Sequence, residues 1–153
     1  MTRKADFNAE EWSLVVGAPL LAAMRVIAAD KGGSVRETVA VAQAYAAAKE
    51  SHDGEFMSAL LASAPGHDAK GVARKDLATE APARLREAIA ILDRVATQDE
   101  VVEYKRFVYA LGETAAQAHK EGGFLGVGGK QVSDNEQAAL DEIAAIFDEE
   151  PAA

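Results

Sequence analysis

Helical periodicity is the feature that most constrains this chain. Apolar residues recur at the i, i+4, i+7 and i+11 spacing, which places them on one helix face. The two longest stripes are Leu85, Ile89, Leu92 and Ala96, then Val101, Tyr104, Val108, Leu111, Ala115 and Ala118. Short Gly, Pro or Asp segments separate such runs, and the sequence lacks the β-branched alternation of a strand. It therefore predicts an all-α fold, a compact bundle of six or seven helices.

Caps and helix breakers predict where individual helices begin and end. The first helix is predicted to begin near Ala9, to be interrupted at Gly17–Pro19, and to resume after the proline. Leu20, Met24, Ile27 and Ala28 are predicted to share one face of this helix. Asp53 is predicted to cap a third helix, and a further long helix is predicted over Thr79–Val95.

Length and composition predict one domain. The 153 residues are enough to bury a core without staples, so we expect a single helical domain over residues 1–153 with short mobile ends. The chain has no cysteine, which excludes disulfides and thiolate zinc sites and favours a cytoplasmic location. We expect neither a signal peptide nor a membrane span, because a charge-free apolar run of about 18 residues does not occur.

The charge balance bears on the partners. Sixteen Lys and Arg against 25 Asp and Glu give a formal net charge of -9, which repels phosphate backbones, so no nucleic-acid partner is predicted. Surplus acid attracts divalent cations, although more often it forms a solvated surface. An unknown protein partner and a homo-oligomer are both left open.

Three Ser/Thr-x-x-Glu segments have the pattern of a capping box: Ser34–Glu37, Thr97–Glu100 and Ser133–Glu136. The first and the third each follow a glycine-containing turn and precede an apolar helix. Aligning Glu37 with Glu136 also aligns the apolar positions of the two helices that follow. The sequence therefore predicts a degenerate internal repeat, a pair of helix-turn-helix units.

The paired turns resemble those of the tellurite-resistance TerB-like family of small helical proteins. The first turn matches at Ala29, Asp30, Gly32, Ser34 and Glu37, and the second at Glu121, Gly122, Val132, Ser133 and Glu136. The turns depart from the family at Lys31, at Lys120, and in an insertion at Gly123–Gly129.

This resemblance implies a non-enzymatic binding or stress-associated module. It also implies a weak site for a divalent metal such as calcium or magnesium, with Asp30, Glu37, Glu121 and Glu136 as the ligands. The residues themselves leave another interpretation open, in which Glu37 and Glu136 act as capping acceptors while Asp30 and Glu121 cap a helix or face water. EF-hand spacing does not occur. A metal-free protein–protein interaction module is the alternative.

The glycine-rich segment Gly122–Gly129 fits neither a Walker loop nor a dinucleotide-binding loop. Gly129-Lys130 lacks the glycine at the required earlier position, and Gln131 stands where both motifs need a different residue. Two interpretations are left, a mobile loop that presents Phe124 and its apolar neighbours to a partner, or a connector whose apolar residues cover the end of the bundle. We favour the connector, because exposed apolar clusters are costly.

Two His-Asp pairs, His52-Asp53 and His67-Asp68, resemble the pair of helical metal-dependent phosphohydrolases. A helix between them would separate the pairs by roughly 20 Å, too far for one metal ion. This enzyme is therefore the weakest alternative. Phe7 and Trp12 are predicted to anchor the first helix in the core rather than to form a docking surface.

Overall fold

The computed structural model describes residues 1–30, 35–64, 71–121 and 132–149, and at residues 119–121 it describes the backbone only. These ranges contain six α-helices and no strand, which confirms the predicted all-α bundle. The helices are α1 (Ala9–Ala28), α2 (Val35–Ser51), α3 (Glu55–Ser63), α4 (Leu77–Val95), α5 (Gln98–Glu121) and α6 (Asp134–Phe147). Short 3-10 turns precede α1 at Lys4–Asp6 and α4 at Arg74–Asp76.

Helix α1 lies at the centre of the bundle, where it packs most extensively against α4 and α5, while α6 contacts all three. Helix α2 lies at the edge and packs mainly on α5. The apolar stripe predicted for α5 is buried along its whole length, at Val101, Tyr104, Val108, Leu111, Ala115 and Ala118. One face of α5 therefore supplies much of the core.

Helix α1 runs without interruption through the glycine and proline that were predicted to break it. Its predicted start is confirmed, because Asn8 caps it by accepting a hydrogen bond from the Glu11 amide at 2.9 Å. The predicted interruption is wrong. Pro19 removes only one hydrogen-bond donor from the helix, the amide that would bond the Val15 carbonyl one turn earlier. The Tyr104 hydroxyl donates to that carbonyl instead, at 2.8 Å.

The predicted shared face of α1 is not the most deeply buried side of the helix. Its four residues, Leu20, Met24, Ile27 and Ala28, are only half-buried. The fully buried positions are Leu21, Ala22, Ala23 and Val26. Because α1 is surrounded on several sides, apolar residues occupy most of its circumference, and periodicity alone does not select the deepest face.

Asp53 does not cap α3. Gly54 occupies the N-cap position in an extended conformation, and Asp53 lies one residue earlier with an exposed side chain. Helix α4 begins at Leu77, two residues before the predicted Thr79, because the 3-10 turn leads directly into it. The end of α4 at Val95 is as predicted.

An aromatic cluster fixes the start of the chain to the core. The rings of Phe7 and Trp12 are 5.3 Å apart, and Phe56 of α3 packs against both. The Trp12 indole N–H donates to the Ser63 hydroxyl at 3.3 Å, so the polar edge of this ring is also bonded. The predicted role of Phe7 and Trp12 as core anchors is confirmed.

One described helix, α1, is long and apolar enough to cross a membrane by length and composition. In the bundle 56% of its apolar window is buried, and the core helix of a soluble protein meets the same criteria. The expected absence of a membrane span therefore stays a prediction.

Candidate functional site

The two predicted turns lie at the same end of the bundle. Asn135, at the start of α6, donates its side-chain amide to the Asp30 carboxylate just after α1, at 3.1 Å. At the same end, Val35 and Val39 at the start of α2 share a shallow depression with Ala118 near the end of α5. Asp30 and Asn135, one from each predicted turn, are therefore in direct contact.

Two carboxylates at this end are completely buried. Glu37 and Glu136, at equivalent positions of the predicted repeat, both have 0% exposure. The Glu136 carboxylate accepts from the Ser133 amide at 3.0 Å, and the Ser133 hydroxyl accepts from the Glu136 amide at 3.1 Å. This confirms the capping box at Ser133–Glu136, whereas Ser34, the partner predicted for Glu37, lies outside the described residues.

Asp30 is half-buried and lies between two elements. Its carboxylate accepts from Asn135, and its backbone carbonyl accepts from the Arg74 guanidinium at 2.9 Å. Arg74 precedes α4, so Asp30 connects the end of α1 both to α6 and to the segment before α4.

The described residues do not form a metal site by themselves. Within residues 1–30, 35–64, 71–118 and 132–149 no three His, Cys, Asp or Glu side chains are grouped so that they could hold an ion. Calcium and magnesium need several oxygen ligands, so Asp30, Glu37 and Glu136 are an incomplete set. The fourth predicted ligand, the Glu121 side chain, lies outside the described residues, and the metal site stays a prediction.

Other predicted features also lie outside the described residues. They include the glycine segment Gly122–Gly129 with Phe124, and the pair His67-Asp68. Of the two His-Asp pairs, only His52-Asp53 lies within the described residues. The Nδ1 atom of His52 lies 2.7 Å from the Glu103 carboxylate on α5, and the imidazole ring packs edge-on against Phe107.

An open groove of about 810 Å³ runs between α2 and α5. The walls from α2 are mainly alanine, at Ala40, Ala44, Ala47 and Ala48, and α5 contributes Phe107, Ala110 and Leu111. The bonded pair His52 and Glu103 lies at one end of the groove. Near it, the Ser51 hydroxyl donates to the Ala48 carbonyl of its own helix at 3.4 Å, so the hydroxyl is not directed to the imidazole.

The middle of the side of α2 turned away from the core is exposed and uncharged, and the exposed charged residues Arg36, Lys49 and Glu50 lie towards the ends of the helix. We call this side the α2 face, and it comprises Val35, Val39, Ala42, Gln43, Ala46 and Ala47. Val35 is 79% exposed and Val39 is 47% exposed, which is unusual for valine. From residue 38 to residue 48 the helix has no charged side chain, although 27% of the chain is charged. The sequence shows the uncharged run, but the run does not indicate which side of the helix stays exposed.

Comparisons of the chain with protein-family models, with curated proteins and with solved structures found no match. The described residues form an all-α bundle with an exposed, uncharged surface on α2 and a contact between Asp30 and Asn135, one from each predicted turn. These two features support the proposals that follow.

Proposed function

We propose that this protein is a non-enzymatic binding module, resembling TerB-like proteins, that binds an uncharged helical surface of another protein chain through the α2 face. The observation that carries the proposal is the exposed, uncharged character of this face. Charged residues are depleted from the cores of protein interfaces, and exposed apolar patches mark interaction sites.

A comparison with α4 shows that the α2 face differs from an ordinary solvated helix surface. The exposed positions of α4 include the charged residues Arg86, Glu87, Asp93 and Arg94. Such alternating charges are typical of a helix side that stays in water. Because the α2 face offers neither sign of charge, the complementary surface is also uncharged.

The polar groups of the neighbouring groove support binding rather than catalysis. Nucleophilic catalysis by serine needs a base within hydrogen-bonding reach of the hydroxyl. Here His52 is bonded to Glu103, and the Ser51 hydroxyl is bonded to its own helix backbone. The groove therefore extends the binding surface beside the α2 face.

A photo-crosslinking residue at position 42 tests this proposal, with the same residue at position 90 as the control. Ala42 lies in the α2 face, and Ala90 is an exposed alanine on α4. In the cells that produce the protein, we expect a discrete crosslinked polypeptide from position 42 that disappears when Val39→Glu is added. Products that are equal at the two positions, or unaffected by Val39→Glu, would contradict the proposal.

A divalent cation at the paired turns is the second candidate, favoured by the Asp30 carboxylate, which Asn135 of the other turn contacts directly. Calcium or magnesium would then raise the melting temperature, because a ligand that binds the native state stabilises it. We expect Asp30→Asn to abolish this rise, whereas Asp53→Asn, an exposed acid elsewhere in the chain, leaves it intact. A melting temperature that neither cation changes would remove this candidate.

A further inference from the structure

We infer that α2 separates from the bundle as a single unit, in a partial unfolding that leaves the other five described helices folded. This inference goes beyond the proposed function, because it concerns how firmly α2 is held and does not depend on what binds its exposed face. Proteins open locally in cooperative segments, and segments with few buried apolar contacts open at the lowest free energy. The burial, the polar groups and the packing of α2 each place it among such segments.

Helix α2 buries little apolar surface for its length. Only three of its 17 residues are buried, and one of the three is the acid Glu37. The other two are Val41 and Ala48, with Ala44 and Tyr45 half-buried beside them. By contrast, α1 buries ten of its 20 residues and α4 buries eight of its 19. Because the free energy gained by burial is roughly proportional to the apolar area removed from water, the bundle gains less from α2 than from these helices.

The hydroxyl of Tyr45 weakens the contact between α2 and α5 further. The Tyr45 ring packs edge-on against Phe107 of α5, with the ring centroids 5.4 Å apart, and burial raises the pKa of this tyrosine. Its hydroxyl oxygen is buried and has no hydrogen-bond partner among the described residues. A buried polar group without a partner destabilises the state that buries it, whereas the opening of α2 returns this hydroxyl to water.

Helix α2 has one main neighbour, and the packing between the two is incomplete. It packs mainly on α5, and the open groove of about 810 Å³ follows the same line of contact. Helix α3, which follows α2 in the chain, is held more firmly, because four of its nine residues are buried and Phe56 packs against Trp12 of α1. We therefore place the boundary of the opening unit between α2 and α3, at His52, which is bonded to Glu103 on α5.

Opening changes the apolar surface that the protein presents. Phe107 is 7% exposed in the bundle, and its ring contacts both Tyr45 and His52. Separation of α2 removes the Tyr45 ring from this contact and uncovers Phe107 on that side of α5. The open state therefore presents an aromatic side chain that the closed bundle covers.

Amide hydrogen exchange of the full chain, followed by NMR at low urea concentrations, tests the inference. We expect the amides of residues 41–48 to share one opening free energy, lower than that of the core amides in α1, α4 and α5. Their opening should depend on urea with a slope between zero and that of global unfolding, because opening a whole helix exposes surface. A free energy and slope equal to those of the core amides would overturn the inference. A slope of zero would also overturn it, because it indicates fluctuations of single residues.

Ile89→Val separates partial unfolding from global unfolding. Ile89 is buried on α4, so the smaller side chain should speed exchange of the core amides by about two- to tenfold. Exchange of residues 41–48 should stay as in wild type, because the surroundings of Ile89 are the same when α2 is open. Val41→Ala, a truncation within α2, should speed exchange of both sets, since both openings remove the contacts of Val41. Faster exchange of residues 41–48 in Ile89→Val would show that α2 opens only when the whole chain unfolds.

Tyr45→Phe tests the role of the hydroxyl. The variant removes a buried polar group that lacks a partner and keeps the ring, so we expect exchange of residues 41–48 to slow by about tenfold. Tyr109→Phe, at a half-buried tyrosine on α5, is the control and should leave this exchange unchanged. Exchange that is unchanged or faster in Tyr45→Phe would contradict the hydroxyl as a cause of the opening.

Discussion

The hydroxyl of Tyr104 on α5 donates a hydrogen bond to the backbone carbonyl of Val15 on α1, at 2.8 Å. Val15 is the residue whose carbonyl the amide of residue 19 would bond in an ordinary helix, and Pro19 has no amide hydrogen. Burial raises the pKa of Tyr104, so its hydroxyl keeps the proton that it donates. A side chain on a neighbouring helix thus replaces the missing donor, and α1 continues through the proline.

Replacement of this hydroxyl should measure what the contact contributes. Tyr104→Phe leaves the buried Val15 carbonyl without its side-chain donor, so we expect the free energy of unfolding to fall by about 1–3 kcal/mol. Tyr109→Phe, on the same helix but only half-buried, is the matched control and should have a smaller effect. Chemical denaturation measures the change for each variant, with the dependence of the unfolding free energy on denaturant concentration expected to stay the same.

Pro19→Ala tests whether the Tyr104 hydroxyl compensates for the proline. It restores an amide hydrogen that can bond the Val15 carbonyl, so the loss caused by Tyr104→Phe should be smaller in the Pro19→Ala background. Equal losses in both backgrounds would show that the hydroxyl acts independently of the proline.

Most of the fold followed from patterns that act within one helix. The stripe on α5 and the box at Ser133–Glu136 depend on residues three or four positions apart, and both were confirmed. The predicted break at Gly17–Pro19 is wrong because Tyr104, 89 residues beyond Val15 in the chain, supplies the hydrogen-bond donor that the proline lacks. Local rules describe the defect at a proline, whereas the partner that compensates for it depends on tertiary packing.

The candidate site was predicted less completely. The contact between Asp30 and Asn135 of α6 depends on tertiary packing, and the repeat indicates only that the two turns are alike in sequence. The α2 face was missed because Val35, Val39 and the alanines around them suit a buried helix equally well. Only the packing of α2 at the edge of the bundle shows which of its sides stays exposed.

The capping box before α6 should contribute to stability. The Ser133 hydroxyl accepts from the Glu136 amide at 3.1 Å, so Ser133→Ala should lower the free energy of unfolding by roughly 0.5–2 kcal/mol. Ser133→Asp keeps a side-chain acceptor at the N-cap and should retain most of the stability. Denaturant midpoints compare the three proteins, and an unchanged midpoint for Ser133→Ala would contradict a capping role.

Acid should weaken the attachment of Thr2 to α5. Partial burial tends to raise the pKa of Glu100, but hydrogen bonds from Thr2 and Thr97 outweigh it and lower the pKa from 4.5 to about 2. At neutral pH the carboxylate is ionised in both the folded and the unfolded chain, and its stabilising effect is complete. As the pH falls from 4.5 towards 2, only the unfolded chain takes up the proton, so this contribution is lost progressively.

Glu100→Gln tests this dependence. The variant should be less stable than wild type at neutral pH, and the difference should shrink as the pH falls below 4.5. Asp99→Asn removes an exposed charge one residue earlier and serves as the control for charge at this helix end. Stability is measured by urea denaturation across the pH range. A constant difference between wild type and Glu100→Gln would contradict the linkage.

Gly112 lies where α5 crosses α1 and α6. A β-carbon placed there would lie 2.9 Å from a methyl carbon of Leu140 and 3.5 Å from one of Val26. Glycine inside an exposed helix is less stable than alanine by roughly 0.5–1 kcal/mol, so an unrestricted replacement would stabilise the protein. Because Leu140 is itself buried, it has little room to move, and the glycine here permits close packing of the helices.

A pair of substitutions separates these two effects. Gly112→Ala alone should lack the gain of roughly 0.5–1 kcal/mol that an open helix position gives, because Leu140 has to shift. Leu140→Ala by itself should destabilise by about 2–5 kcal/mol through the cavity that it leaves. In that background the added methyl of Gly112→Ala has room and fills part of the cavity, so it should now stabilise. Denaturation of the four proteins in the cycle gives the coupling free energy. If Gly112→Ala has the same effect with and without Leu140→Ala, the close contact with Leu140 does not limit residue 112.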